Sequence, residues 1–205
     1  MFKDREEAGR ILAEKLINKF DLTNTAIVVI PRGGVVVGNV ISRILGMPLF
    51  PLVVKKISLP QSPELALGAV GNRKITYWDQ KIVSSFNLRE KELDMLRDNK
   101  YKEVLYREKF LGIKIPDLKQ KKAILVDDGV ATGSTVMAAS LILKKMEAKK
   151  IVLATPVIST ETLEKIRKYF TEIIYILKSE NFSAVGEFYK NFSQVTDEEI
   201  KKLLN

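Results

Sequence analysis

The chain predicts an α/β fold: a parallel sheet with helices on both faces, plus a mobile loop. Three observations carry this. Several apolar runs, such as TAIVVI at residues 25–30, are too uniform and β-branched for half-exposed strands and read as strands buried on both faces. Helical patterns lie between these runs, and strand alternating with helix builds a parallel sheet. The 205 residues, 46% of them hydrophobic, suffice for one buried core, so a single domain over 1–205 is expected.

The elements follow in order. Asp4-x-x-Glu7 has the form of a capping box, and Ala8, Ile11, Leu12 and Leu16 fall on one face of the helix it opens. The strand over 25–30 stops at Pro31-Arg32-Gly33-Gly34, and a helix follows over 35–45. A second buried strand, PLFPLVVKK, ends in Lys55 and Lys56. The run SLPQSPELALGAVG has turn-forming residues early and small residues late, which predicts a mobile loop leading into short strands near Ala69 and Ile75. A long charged helix spans 88–110, with Leu93, Leu96, Val104 and Leu105 as its buried side. Strands over 123–126, 151–157 and 172–177 alternate with helices over 134–146 and 160–169, and Thr196-x-x-Glu199 caps a short terminal helix.

Composition narrows the chemistry. Lys plus Arg (34) exceed Asp plus Glu (25), and the net charge of +9 favours an anionic partner. Lys and Glu mix along the helices, so most of this charge is a solvated surface. The chain has no Cys, which excludes disulfides, thiolate nucleophiles and thiolate-ligated metals. It has no His either, so acid–base work falls to carboxylates, Lys, Tyr or the substrate. The charged start MFKDREEAGR is unlike a signal peptide, and no apolar run is long enough for a membrane span. A cytoplasmic protein without membrane contact is expected.

The most informative stretch is AILVDDGVATGSTV at residues 123–136. In an open α/β sheet ligands gather beyond the carboxyl ends of strands, where Asp127 and Asp128 sit. The turn from Gly129 to Gly133 and the helix start at Ser134 and Thr135 offer backbone N–H groups and hydroxyls that suit a phosphate monoester. The acids would repel that phosphate, so they serve another part of the ligand: sugar hydroxyls, magnesium or developing positive charge. A ribose 5-phosphate satisfies both halves. Neither GxxxxGK[ST] nor GxGxxG is present, so nucleoside-triphosphate and dinucleotide loops are unsupported. The plainer alternative is a polar strand-to-helix turn, but two acids, glycines and three hydroxyls in this order exceed what a turn requires.

ILVDDGVATGSTV resembles the phosphoribosyl-pyrophosphate (PRPP) binding loop of type I phosphoribosyltransferases: apolar strand, two acids, then a short turn with Thr-Gly and a hydroxyl residue. The resemblance extends over most of the chain. It implies Mg²⁺- and PRPP-dependent transfer of the 5-phosphoribosyl group to a nitrogenous base or other amine, with release of pyrophosphate, and a homodimer. It places Asp127 and Asp128 on the ribose hydroxyls, with Mg²⁺ held weakly or through water. Gly129 with Ala131, Thr132, Gly133, Ser134 and Thr135 would cradle the 5-phosphate. Arg32, Gly33 and Gly34 match the pyrophosphate loop, and Arg32 joins the two acids as a catalytic group. Lys55 and Lys56 resemble basic residues placed before the family's mobile catalytic loop, although two charges at a strand end are as often simply solvated. Pro60, Pro63 and Glu64 would lie in that loop, with Glu64 a candidate lid acid.

Residues 179–195 would form the hood over the acceptor base, and their Phe182, Phe188, Tyr189 and Phe192 would either stack on the base or pack a core. Ala131 replaces an acid that 6-oxopurine members often carry, so the base stays open. One rival is a PRPP-sensing regulator that binds nucleic acid without catalysis, although no DNA- or RNA-binding motif stands out. Another is a hydrolase or phosphatase using the same phosphate pocket.

Overall fold

A computed structural model describes residues 1–17, 19–21, 24–113 and 117–204; the side chain of Glu64 also lies outside the described part. The chain runs α1 (Arg5–Leu16), β1 (Thr25–Val29), α2 (Gly33–Leu45), β2 (Leu49–Pro51), β3 (Val54–Leu59), β4 (Ser62–Gly71), β5 (Thr76–Trp78), α3 (Gln80–Ser85), α4 (Glu90–Leu111), β6 (Lys122–Val126), α5 (Ser134–Lys145), β7 (Lys150–Ser159), α6 (Thr160–Ile166), β8 (Glu172–Ser179) and α7 (Asp197–Leu204).

Five strands form a parallel sheet in the order β2-β1-β6-β7-β8. Strand alternation divides their side chains between two cores. Ala26, Val28, Ala123 and Leu125 join the core that contains α5, whereas Ile27, Val29, Ile124 and Val126 join Leu12, Leu16, Val37 and Ile41 of α1 and α2. Both faces are covered, which explains why these strands are continuously apolar.

Helix α5 is apolar or small nearly all round and is buried accordingly, from Ser134 through Leu143 on most positions. It contacts β6 and β7 of the parallel sheet and also β3, β4 and β5, which form a separate antiparallel sheet in the order β3-β4-β5. Helix α4 packs on that second sheet, where Val104 meets Val53, Ile57 and Val70.

This second sheet departs from the sequence expectation in two ways. The predicted strand PLFPLVVKK is two strands: residues 49–51 belong to the parallel sheet, and the chain then leaves it to begin β3. Lys55 and Lys56 therefore lie within β3 and pair with Val70 and Ala69, instead of ending a strand. The predicted mobile loop is the β3–β4 hairpin, closed by Leu59 opposite Ser62. Its small residues allow close approach. A Cβ on Gly68 would lie 2.1 Å from the Tyr77 carbonyl oxygen, and one on Gly71 would lie 2.4 Å from Ile142 Cδ1. Small residues usually signal a loop, but here they let a strand sit tightly between a neighbouring strand and a buried helix.

Other local readings hold. Asp4 accepts the Glu7 N–H at 2.8 Å and caps α1, although the Glu7 carboxylate takes the N–H of Lys3 instead of that of Asp4. The reciprocal box at Thr196 and Glu199 is complete, with bonds of 2.6 and 3.1 Å. Leu105 is 47% exposed, so the buried side of α4 runs through Val104. Among the described residues, no helix is long and apolar enough to cross a membrane.

The steric constraint at Gly68 is testable. Gly68→Ala drives a Cβ into a backbone carbonyl, and we expect a loss of about 1–3 kcal/mol in urea unfolding; wild-type stability in this variant would show that the two strands are not packed as described.

Candidate active site

Chain order places the site. From β1 the chain adds β2 on one side, and from β6 it adds β7 and β8 on the other. The connections therefore splay apart between β1 and β6, which opens a crevice at their carboxyl ends. The two strands pair in register from Thr25 opposite Lys122 to Val29 opposite Val126, so their following loops emerge at the same level. The loop at Arg32–Gly34 thus meets Asp127 and Asp128. A Cβ on Gly33 would lie 1.7 Å from Asp128 Oδ2, and one on Gly34 would lie 2.8 Å from the Val126 carbonyl oxygen. Only glycines permit this contact.

The acids are held from several sides. The Asp128 N–H donates to Asp127 Oδ1 at 3.0 Å. Arg5 Nε donates to Asp128 Oδ2 at 2.7 Å, and the Tyr189 hydroxyl donates to the Asp128 carbonyl at 2.6 Å. Arg5 is itself fixed: it donates to the Ser193 carbonyl at 2.9 Å, and its guanidinium carbon lies 3.8 Å from the Phe192 ring centre. Burial and the charge of Asp128 push the Asp127 carboxyl well above the usual carboxylate range. Burial also raises Asp128, while Arg5 opposes the rise. Burial and the neighbouring acid push the Tyr189 phenol up as well. Two negative charges are poorly tolerated here, and ligand groups that donate hydrogen bonds are favoured.

The downstream turn has the opposite character. Gly133, with φ of +76°, is the N-cap of α5 and supplies no side-chain acceptor, so the first N–H groups of the helix stay directed at the turn with the positive end of its dipole. Thr132 is exposed, Thr135 half-buried and Ser134 buried. The turn is anchored to β7: Val130 donates to the Val157 carbonyl at 2.9 Å and accepts from the Ser159 N–H at 3.1 Å. The Thr162 hydroxyl donates to the Ala131 carbonyl. Gly129 lies against Val185, which brings the 179–195 segment onto the turn.

The remaining candidates are distributed unequally. Arg32 is exposed at the crevice and follows a cis Pro31–Arg32 peptide bond; its guanidinium stands 2.8 and 3.2 Å from the Gln194 side-chain amide, which accepts from it with the amide oxygen turned toward the arginine. Lys55 forms a 3.2 Å ion pair with Glu103 and shares a recess with Arg107 and Asp197. Strand alternation turns the exposed Lys56 to the opposite face of β3, so the two lysines do not converge. Tyr189 is a core residue beside Phe2 and Ala8, whereas Phe192 is 37% exposed. Sequence reading missed Arg5, the Tyr189 bond to Asp128, and Arg107. Arg5 stands 123 positions from Asp128, and an arginine in the first turn of an amphipathic helix carries no mark that separates it from a solvated one.

Among the described residues, no three acids gather as a metal cage. Two adjacent carboxylates, one already engaged by Arg5, fit at most a partial ligand set completed by substrate oxygens.

The same arrangement has relatives among known proteins. The phosphoribosyl transferase domain family matches residues 2–192. A Mycobacterium tuberculosis (strain H37Rv) protein, Rv0571c, provisionally named a phosphoribosyl transferase, is 35% identical over 210 aligned residues, covering 100% of this chain and 46% of its own length. The chain therefore spans about half the length of that relative. The crystal structure of TT1426 from Thermus thermophilus is 32% identical, with a TM-score of 0.82 over 99% of this chain and 97% of that one. An adenine phosphoribosyltransferase from Thermoanaerobacter pseudethanolicus, 17% identical, shares the fold with a TM-score of 0.50 over 85% of this chain and 80% of its own. The chain belongs to the phosphoribosyl transferase domain family.

The raised Asp127 carboxyl gives a signed prediction. An acid whose pKa is raised by folding favours the folded state when protonated and loses that contribution as pH rises through its folded value. Asp127→Asn keeps an acceptor for the Asp128 N–H and removes the strained charge. We expect its Tm at pH 7 to exceed wild type by about 2–4 °C, the shift that ~1 kcal/mol gives at this size. The gap should close toward pH ~4, where the wild-type carboxyl is also protonated. A pH-independent gap, or a lower Tm at pH 7, would contradict the burial of charge at this position.

Proposed function

We propose that this chain binds PRPP with Mg²⁺ and transfers the 5-phosphoribosyl group to a nitrogenous acceptor, releasing pyrophosphate. One observation carries the reading: an acid pair and an uncapped helix start stand side by side at the same crevice. Ala131 to Thr135 would receive the 5-phosphate, and Asp127 and Asp128 would take the ribose 2- and 3-hydroxyls as donors. The anomeric carbon then lies between the acids and the Arg32 loop. Membership of the phosphoribosyl transferase domain family supports the same assignment.

In the reaction, the bond from the anomeric carbon to the pyrophosphate oxygen breaks and its electron pair leaves with pyrophosphate. The acceptor nitrogen supplies the pair for the new bond. The oxocarbenium-like transition state carries positive charge on the ribose, which Asp127 and Asp128 stabilise, while Arg32 and the N–H groups of Gly33 and Gly34 stabilise the leaving oxygens. Mg²⁺ bound with PRPP would screen pyrophosphate charge; Asp127 and Asp128 would hold it together with substrate oxygens. Lys55 adds positive potential to the same side. Residues 179–195 would cover the acceptor; Phe192, partly exposed there, already packs against Arg5 and Tyr189. The chain is read as one phosphoribosyltransferase domain.

The assignment is tested by release of pyrophosphate from Mg²⁺–PRPP across a panel of purines, pyrimidines and other amines, alongside PRPP binding by calorimetry. Acceptor-dependent release is expected. Asp127→Asn with Asp128→Asn should weaken PRPP binding by about 100-fold or more, the loss expected from two charge-assisted hydrogen bonds. Acceptor-independent release would favour a hydrolase. Salt-sensitive nucleic-acid binding without turnover would favour a sensor. Undiminished PRPP affinity in a folded double variant would refute the site.

A further inference from the structure

Three arginines from separate parts of the chain converge on one stretch of residues 193–197: Arg5 on α1, Arg32 on the β1–α2 loop and Arg107 on α4. Each is bound by the same short segment. The Ser193 carbonyl accepts from Arg5 at 2.9 Å and the Asp197 carboxylate accepts from Arg107, while the Gln194 amide stands 2.8 Å from the Arg32 guanidinium and accepts from it when its oxygen is turned that way. The segment thus supplies the acceptors that an anionic ligand would otherwise offer.

Arg107 is the member of this group that lacks an assigned role. Its side chain is only 13% exposed, and its buried Nε has no hydrogen-bond partner among the described residues. Burial of the guanidinium lowers its pKa, Asp197 opposes that, and the charge of Arg32 lowers it further. The two arginines oppose each other's charge, which favours an anion in their vicinity. The recesses around them adjoin: one of about 390 Å³ is lined by Lys55, Glu103, Arg107, Phe110 and Asp197, and the next, of about 420 Å³, by Arg32, Gln194, Phe110 and Asp197. Of the two acids lining the recess with Arg107, Glu103 is shared between Lys55 at 3.2 Å and Lys100 at 2.6 Å, and Asp197 is the one that pairs with Arg107.

We propose that Arg107 is a second pyrophosphate-binding arginine beside Arg32, held in the ligand-free protein by Asp197 as a tethered substitute for the pyrophosphate oxygens. This rests on the PRPP reading above and adds the residue that would bind the leaving group from the α4 side. Arg107 differs from a structural ion pair in that its partner is replaceable. Asp197 is the first residue of a short helix and its side chain is 34% exposed, so the carboxylate can yield when a doubly anionic group arrives. A guanidinium can then take two oxygens at once.

The test compares wild type, Arg107→Gln, Arg107→Lys and Asp197→Asn by calorimetric titration with inorganic pyrophosphate and, separately, with ribose 5-phosphate and with PRPP, with Mg²⁺ present and folding checked by circular dichroism. Arg107→Gln should weaken pyrophosphate by about ten-fold or more, as expected for a lost charged hydrogen bond, and leave ribose 5-phosphate within about two-fold. Arg107→Lys should fall between. Asp197→Asn should tighten pyrophosphate by removing the internal competitor, a result that a merely structural pair does not give. If Arg107→Gln does not fold, Arg107→Lys and Asp197→Asn carry the test alone. Pyrophosphate affinity unchanged or weakened by Asp197→Asn would overturn the inference, as would pyrophosphate affinity insensitive to both Arg107 variants; PRPP binding by wild type in the same assay would then leave the broader reading standing. Wild type binding neither PRPP nor ribose 5-phosphate would remove both.

Discussion

The site depends on the contact between two loops that only glycine allows. Asp128 Oδ2 occupies the space where any side chain at position 33 would begin. That closeness follows from the register of β1 against β6, which brings the two strands to an end at the same height. Backbone amides of one loop and carboxylates of the other therefore share a crevice without intervening side chains. A larger residue at position 33 would push the loops apart and separate the two halves of the chemistry.

The crevice also concentrates charge of both signs, and the fold keeps each in check. The buried Asp128 is compensated by Arg5, and the half-buried Asp127 accepts the Asp128 N–H. The arginines in turn are held by residues 193–197. The excess of lysine and arginine across the chain is a different matter. Pairs such as Lys19 with Glu172 and Lys119 with Glu147 are about half exposed on the surface, where such bridges contribute little.

Strands β1, β6, β7 and β8 were legible as apolar runs, whereas β2 was read as part of one longer strand; the place of the acid pair was legible because the apolar run of β6 ends directly before it. The second sheet was legible only in part: short strands near Ala69 and Ile75 were expected and are β4 and β5, but the bounds of β3 and the start of β4 at Ser62 were not. Its strand β4 is built from Pro63, Gly68, Ala69 and Gly71, types that usually mark loops, and its strand character comes from packing against α5 and β5. Helix α3 went unread for a related reason: it is a single short stretch capped by Asp79, which a 2.5 Å ion pair to Lys165 ties to α6. Arg5, Arg107 and Tyr189 acquire their places only through long-range contacts. Local patterns assign such residues to a solvated face or a core, and Tyr189 is indeed in a core while also reaching Asp128.

A crystal structure with Mg²⁺ and PRPP addresses the division of labour between acids and amides most directly. The account predicts ribose hydroxyl oxygens within hydrogen-bonding distance of Asp127 and Asp128, and the 5-phosphate on the amides of residues 131–135. A phosphate bound elsewhere, with the two carboxylates still engaged only by Arg5 and their own backbone, would contradict it.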